Sequence, residues 1–366
     1  MRDPSSIEIR ELIEIGEELN ASDVFIKAHR VPMMRLHSIV KPLPGEWPVI
    51  DESNAHRMIV NLMTDKQRHR FEEHMEMDLA FAVADKCRVR ANLYRQRGST
   101  AGVFRIIPLR IKTLEELGLP PVLRELTKLR QGLVLVTGPT GSGKTTTLAS
   151  LIDIINDNRP CHIVTIEDPL EFVHQDKQAY LSQREIGIDT EDFEPALRAV
   201  VREAPDVILI GEMRDVKTMN VAMQAGETGH LVFSTVHTSS AYETMDRIVN
   251  MFPPHEKNHL CLRLANALKA IVAQKLVPTT DGYGRVVANE ILIVNPTVQK
   301  LIEDGHFGDL YHQMNEGEFW GMQTMNQSIL RHVVNGKITE ETALNYAGLA
   351  SELRQMLRRD LAKPRT

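Results

Sequence analysis

Leu133-Val-Leu-Val-Thr-Gly-Pro-Thr-Gly-Ser-Gly-Lys-Thr-Thr-Thr147 is an apolar strand that runs into a glycine turn and then into the start of a helix. Gly138 through Thr145 fit G-x-x-x-x-G-K-[ST], the pattern of a phosphate-binding loop. In such a loop the backbone N–H groups cradle phosphates, a lysine ammonium reaches the β- and γ-phosphates, and the hydroxyl that follows ligates magnesium. Lys144 and Thr145 fill the last two places, and Gly138, Pro139, Thr140, Gly141, Ser142, Gly143 and Thr146 complete the cradle. Leu133 to Val136 suits a buried parallel strand, and Thr145 to Ile155 has helix formers at helical spacing. The free donors of that helix start would face an anion. A chance glycine turn would not bring strand, loop, lysine, hydroxyl and helix together, so a nucleotide's phosphates with Mg2+ are the expected ligands.

Downstream of this loop the pattern alternates strand and helix, which predicts a parallel sheet covered on both faces. Strands are expected at 162–166, 206–210, 231–236 and 286–292, and Phe193, Ala196, Leu197, Val200, Val201 and Ala204 form the apolar stripe of a helix lying on the sheet. From about residue 295 the chain reads as wholly helical. Upstream, residues 6–19 form an imperfect amphipathic helix with Ser5 or Ser6 as a cap, Val24 to Lys27 and Pro32 to Val40 read as strands, and Lys41-Pro-Leu-Pro-Gly is punctuation. Two short helices, 51–63 and 64–75, precede a second strand cluster: 78–84, 87–94 and an apolar run, 101–104, that Arg105 closes. In 87–94, Val89, Ala91 and Leu93 alternate with Arg88, Arg90 and Asn92. A solvated sheet face accounts for these arginines without any further role. Regular structure breaks at Ile107-Pro108, and a helix pair, 114–118 and 121–128, leads into the core. The expected division is therefore 1–106, a linker at 107–120, a nucleotide-binding core at 121–295 and a helical region at 296–366.

The chain has 366 residues, enough for two domains with sizeable cores, and its 42% apolar and 25% charged content is ordinary for a soluble globular protein. A net charge of −6 gives no general attraction to nucleic acid, and no nucleic-acid partner is expected. No apolar run approaches the roughly eighteen residues that span a bilayer, and the start lacks the features of a secretory signal, so a cytoplasmic protein is expected. Cys87, Cys161 and Cys261 stand far apart in no metal or disulfide pattern and read as buried free thiols.

Ligands of open parallel sheets bind beyond the carboxyl ends of the strands, and three apolar runs end there in reactive groups. One places Glu167 and Asp168 at its tip with Glu171 further on. The second places Glu212 and Asp215. The third, His230-Leu-Val-Phe-Ser-Thr-Val-His237, ends in His237. Phosphoryl transfer to water needs a metal, a group that orients the water, and cations against the charge developing on the γ-phosphate. Glu212 is the expected base and a holder of the metal shell beside Thr145, with Glu167 and Glu171 tuning water and metal. His237 is placed to hydrogen-bond a γ-phosphate oxygen. Asp168 and Asp215 can equally be helix caps. Positive charge is missing from these core motifs, which turns attention to Arg90 and Arg105 as arginine fingers, in cis or across a subunit boundary.

Gly138-Pro-Thr-Gly-Ser-Gly-Lys-Thr-Thr-Thr147, Thr165-Ile-Glu-Asp-Pro-Leu-Glu-Phe-Val-His174, Gln183-Arg-Glu-Ile-Gly187, Ala204-Pro-Asp-Val-Ile-Leu-Ile-Gly-Glu-Met-Arg-Asp215 and Glu227-Thr-Gly-His-Leu-Val232 together resemble the PilT/PilU-type retraction ATPases of bacterial type IV pili, within the secretion ATPase superfamily. The resemblance covers nearly the whole chain. It implies an α/β fold: a PAS-like N-terminal α+β domain followed by a RecA-like P-loop ATPase core with a helical C-terminal region. It also implies that 138–145 is the Walker A loop, 165–171 the aspartate box, 207–212 the Walker B segment with Glu212 as catalytic glutamate, and 230–237 the histidine box with His230 and His237. Relatives bring first-domain arginines to the nucleotide, which favours such a role for Arg90 and Arg105. The resemblance further implies a homo-hexamer that hydrolyses ATP to retract the pilus in twitching motility, with an inner-membrane pilus platform protein and a paralogous retraction ATPase as partners, at the cytoplasmic face of the inner membrane. The alternatives within the superfamily are an accessory PilU-like retraction motor and a pilus-assembly or type II secretion ATPase. Outside it stand a RecA-like nucleic-acid translocase and a scaffold without catalysis. One departure stands out: many relatives carry Ala-Ile-Arg-Asn-Leu-Ile in a stretch tied to retraction, where this chain has Thr297-Val-Gln-Lys-Leu-Ile302.

Overall fold

The alternation that begins at Cys87 becomes a sheet with one covered face in the computed structural model, which describes residues 3–36, 39–84, 86–282 and 284–361. The chain divides into two units, Met1–Arg110 and Ile111–Thr366. Six strands build the first: β1 (Asp23–Lys27), β2 (Met33–Leu36), β3 (Ile39–Pro42), β4 (Glu76–Val83), β5 (Cys87–Gln96) and β6 (Ser99–Pro108). They pair antiparallel in the order β3-β2-β1-β6-β5-β4. Val89, Ala91 and Leu93 of β5 are buried together with Leu12 and Ile13 of helix Ile9–Glu18, Met58 and Ile59 of helix Glu52–Val60, and Phe71 of helix Asp65–His74. Arg88, Arg90 and Asn92 alternate with the buried residues along β5, so one face is apolar and helix-covered while the other is polar.

Several boundaries differ from the sequence reading for identifiable reasons. The first α-helix starts at Ile9 after an uncapped Glu8, because Ser5 and Ser6 are used in a short 3-10 turn capped by Asp3. The stretch 32–40 is not one strand: β2 and β3 pair antiparallel, and Lys41 and Pro42 continue β3. Proline is tolerated there because β3 is the edge strand, where its missing N–H breaks no inner ladder. Arg105 does not close a strand but lies within β6, which pairs with β1 on one side and β5 on the other and so stays regular through Pro108. Leu114 to Gly118 is a turn, and the helix that follows is Val122–Leu126.

The second unit is built on seven strands: β7 (Gly132–Thr137), β8 (His162–Glu167), β9 (Tyr180–Glu185), β10 (Val207–Ile210), β11 (Leu231–Val236), β12 (Leu268–Pro278) and β13 (Arg285–Ile293), in the order β13-β12-β7-β11-β10-β8-β9. All neighbours are parallel except β12 with β13. Periodicity missed β9 and β12: the first is short and polar, and Lys269, Gln274 and Lys275 interrupt the second. β7 shows why a continuous apolar run is needed at the centre. Leu133 and Leu135 pack into the core on one face, with helices Phe193–Val200, Val216–Glu227 and Ala241–Met251, while Val134 and Val136 pack on the other against Leu148, Leu151 and Ile152 of helix Lys144–Asn158. The expected stripe of Ala196, Leu197 and Val200 lies on the sheet against Val164 and Ile208. From Pro296 to Leu361 the segment is mainly helical but not wholly so, because Gln323 bridges antiparallel to Ile291 of β13; helix Ala350–Leu361 closes it. It packs on the ends of β12 and β13 through Val277 and Ala288 and divides with the core rather than apart from it.

Candidate active site

Three strand ends and one loop converge at the carboxyl edge of the parallel sheet. The loop follows β7. Gly138, Gly141 and Gly143 have φ of +148°, +78° and +90°, values that an L side chain rarely adopts. At Gly138 space also forbids a side chain, because a Cβ would sit 2.4 Å from Ser142 Oγ and 2.5 Å from the Gln274 carbonyl oxygen. The loop therefore lies flat on β12 and turns into helix Lys144–Asn158, whose cap residue Gly143 makes no side-chain cap bond. The first N–H groups of that helix stay available to an anion. Lys144 is buried, and its Nζ donates to the carbonyls of Gly138 at 2.8 Å and Pro139 at 3.2 Å, which holds the ammonium over the loop. Burial lowers its pKa, and the negative charges of Glu212 and Glu171 act against that shift, so both carboxylates lie within electrostatic reach of the lysine. Thr145 and Thr146 are half-buried on the first turn.

Glu212 leaves the end of β10 through Gly211. Two side-chain bonds tie that end to β11: Ser234 Oγ donates to the Ile210 carbonyl at 2.8 Å and Thr235 Oγ1 to the Gly211 carbonyl at 2.7 Å. The same pairing brings His237 beside Glu212. His237 Nε2 is 3.1 Å from Glu212 Oε1, and Arg214 Nη2 is 2.7 Å from Glu212 Oε2. Burial would raise the Glu212 pKa, but Arg214 and His237 outweigh it and hold the carboxyl below its ordinary range. The carboxylate is thus charged at neutral pH with a cation on one oxygen and an imidazole on the other.

Glu167 is its opposite. At the tip of β8 it is almost wholly buried, and desolvation pushes its pKa up to about 7; the nearby Thr165 and Gln183 side chains pull it down and the Glu171 charge raises it further. Glu171 is half-buried on a loop that two amide side chains pin in place. Gln183 donates to the Phe172 carbonyl at 2.9 Å and accepts from His174 N–H at 2.8 Å, while Asn156 of the helix after the loop donates to the Gln175 carbonyl at 2.7 Å.

The remaining candidates separate. Asp215 is a helix cap: its Oδ1 accepts from Thr218 N–H at 2.9 Å at the start of Val216–Glu227. Asp168 is exposed, starts no helix, and acts through its charge on Arg214. His230 falls at the wrong end of its strand. Leu231 is level with Gly132 and Val236 with Thr137, so His230 lies about 20 Å of strand rise from the loop, with Nδ1 3.1 Å from the Ala225 carbonyl oxygen. Arg90 and Arg105 stand opposite each other on β5 and β6 of the first unit. Arg105 Nε is 3.1 Å from Oδ1 of the buried Asp23, whose other oxygen takes Arg35 Nε at 3.1 Å. The expectation that the core motifs lack a cation is corrected by Arg214, two residues after Glu212 in a segment that already carried the resemblance. Gln274 was also missed, since nothing in the sequence ties it to the loop that its carbonyl supports.

The chain matches the family model described as type II/IV secretion system protein over residues 18–359. It is 42% identical over 337 residues to the type IV pilus retraction ATPase PilT of Pseudomonas aeruginosa, covering 92% of this chain and 97% of that protein. It is 39% identical over 352 residues to the type IV pilus ATPase PilU of the same organism, covering 96% and 92%. The crystal structure of the pilus retraction motor PilT with bound ADP superposes with a TM-score of 0.89 at 41% identity, covering 96% of this chain and 100% of that one.

Two outcomes follow from this geometry. Glu212→Gln should retain nucleotide binding and lose about 10²-fold or more in turnover, whereas Lys144→Ala should weaken binding itself, as isothermal titration and steady-state ATPase assays will read. Near-normal turnover of the Glu212 variant would exclude it from the hydrolytic step and leave Glu167 and Glu171 as the candidates. Glu167 makes a pH prediction. Between its ordinary 4.5 and about 7 the folded protein keeps a proton that the unfolded chain has released, so stability falls as pH rises through that window, by about 3 kcal/mol at most. Glu167→Gln should flatten that fall in urea unfolding of the nucleotide-free protein. An unchanged slope would refute the buried neutral carboxyl.

Proposed function

Because this chain belongs to the type II/IV secretion system protein family, we propose that it is an ATP-hydrolysing motor that powers type IV pilus retraction, and so twitching motility, by depolymerising the fibre at its base. Its chemistry is that of an ATPase, and its core binds nucleotide in the manner of its relatives. The observation that carries the reading is Glu212, held charged between Arg214 and His237 at the strand end, within electrostatic reach of Lys144. The loop N–H groups and Lys144 hold the β- and γ-phosphates. Thr145 offers the single hydroxyl oxygen that a Mg2+ ion takes from such a loop, because this ion prefers phosphate oxygens and water to a protein cage. Bound there, Mg2+ supplies neutralisation of the phosphate charge. Glu212, with His237 and Arg214 already on its two oxygens, would act on water held by that ion and not as a direct ligand. A carboxylate with a depressed pKa is a weak base, so its larger contribution is to orient the attacking water in line with the γ-phosphate. His237 reports the γ-phosphate to Glu212. Glu167 and Glu171 shape the water network, and Arg90 and Arg105 are the proposed fingers against the γ-phosphate charge, in cis or from the next subunit of a homo-hexamer.

The partners on this reading are an inner-membrane platform protein and a paralogous retraction ATPase; among the described residues no helix is long and apolar enough to cross a membrane, so attachment at the inner membrane would be peripheral. The near-complete match to PilU favours a second reading, an accessory retraction motor. Deleting the gene in a piliated host separates these. Retraction by this motor alone predicts accumulated surface fibres and lost twitching, restored by the parent gene but not by Glu212→Gln. Loss of fibres would identify an assembly motor and overturn the proposal, and a phenotype seen only when a second retraction ATPase is weakened would establish the accessory role.

A further inference from the structure

Glu290 lies on β13, outside the group just described, and is only 4% exposed. Its Oε1 accepts the N–H of Ala241 at 2.7 Å, and Ala241 is the first residue of helix Ala241–Met251. That helix begins directly after the turn that carries His237. Every residue of the turn is tied to the same helix. Arg247 Nη1 donates to the His237 carbonyl at 3.0 Å, and the hydroxyls of Thr238 and Thr244 lie 2.7 Å apart. Ser239 N–H donates to Glu243 Oε2 at 2.6 Å, and Thr244 Oγ1 donates to the Ser240 carbonyl at 2.7 Å. The turn and the helix start therefore move as one body. One end of that body continues from β11. The other end is held to the sheet by Glu290.

A carboxylate in such a place is costly, because burial disfavours the charge; it raises the Glu290 pKa, while the Ala241 and Met325 N–H groups and Lys275 of β12 act in the other direction. Lys275 in turn donates to the Tyr346 carbonyl at 3.1 Å in the helical region. An apolar side chain would fill the site without that penalty. What it could not do is fix the height and direction of the Ala241 N–H.

We propose that Glu290 is a positioning residue for hydrolysis: by clamping the Ala241 N–H it sets the His237 turn so that the imidazole meets the Glu212 carboxylate. The inference rests on the reading of Glu212 and His237 as the hydrolytic group. It concerns turnover and not nucleotide affinity, since the phosphate loop hangs on β7 and β12 and not on this helix.

The test uses the full-length protein and steady-state ATPase kinetics beside ADP titration. Glu290→Ala should lower kcat about tenfold or more, of the order that misplacing a reacting group costs, with KM for ATP and ADP affinity within about threefold of the parent. Glu290→Gln, whose amide oxygen can still accept the N–H, should restore most of that loss. Ala241→Pro removes the same hydrogen bond from its other partner without leaving a cavity, because the ring Cδ takes the place of the amide hydrogen and turns the Glu290 carboxylate away. Proline is favoured at a first helical position, and Ser240 already has the extended conformation, φ −150° and ψ 165°, that a residue before proline needs. This variant should reproduce the kcat loss and keeps the test decisive if Glu290→Ala fails to fold. In a His237→Ala background, Glu290→Ala should cost little more than His237→Ala alone. Parental kcat in Glu290→Ala or Ala241→Pro, with only a lower melting temperature, would overturn the proposal, and so would full additivity with His237→Ala. Parental kcat in His237→Ala itself would instead overturn the reading of the hydrolytic group, and the clamp with it.

Discussion

A polyphosphate can be gripped by backbone only where N–H groups are left without other partners, and such groups are costly unless the surrounding structure forces them open. The core of this protein is arranged around that constraint. β7 is buried along its whole length, and the loop that follows it lies against β12, where Gly138 faces the Gln274 carbonyl with no room for a side chain. Gly143 then enters the helix with no side chain to cap its first N–H groups. The apolar run of β7, the glycines and the uncapped helix start are thus one device read at three places in the chain.

Around that device the protein holds two carboxylates in contrasting states. Glu212 is kept charged by a guanidinium and an imidazole, whereas Glu167, on the next strand over, is desolvated to a pKa of about 7. The difference comes from the strands that carry them. β10 is short, so Glu212 clears the sheet and meets partners from β11 and its own following turn. β8 runs on to include Glu167, which keeps that side chain inside the packed edge. Environments that drive paired titratable groups apart are what a site needs when one group must stay ionised and another can exchange a proton near neutrality.

Much of this was legible in the sequence because its causes are local. The phosphate loop, the strand tips bearing Glu167, Glu212 and His237, the polar face of β5 and the helical character of 296–361 all follow from periodicity and from residue types at fixed spacing. What was not legible depends on contacts between distant segments. His230 and His237 look equivalent in one motif, yet a parallel strand sends them to opposite edges. β12 was hidden because Lys275 and Gln274 break its apolar run, although both side chains find distant partners, the Tyr346 carbonyl and Thr147, that no local pattern announces. The edge position of β3 likewise excused a proline that read as a stop.

The departure at 297–302 gains a physical meaning on the same terms. Val298 and Ile302 of helix Pro296–Glu303 are buried and Leu301 packs beside them, and these are the positions at which relatives also carry Ile, Leu and Ile. Asn295 caps the helix by accepting from Val298 N–H at 2.9 Å. The residues that differ most, Gln299 and Lys300, lie outside that apolar frame. Gln299 donates to Asn266 Oδ1 at 3.2 Å, and the largely exposed Lys300 pairs with Glu303 and Asp304 at 3.0 Å. Exposed pairs of this kind contribute little to stability, so neither substitution is needed to hold the helix. The replacement of arginine and asparagine therefore leaves the scaffold intact and changes the pattern of charge and hydrogen-bond donors that the helix offers at its surface.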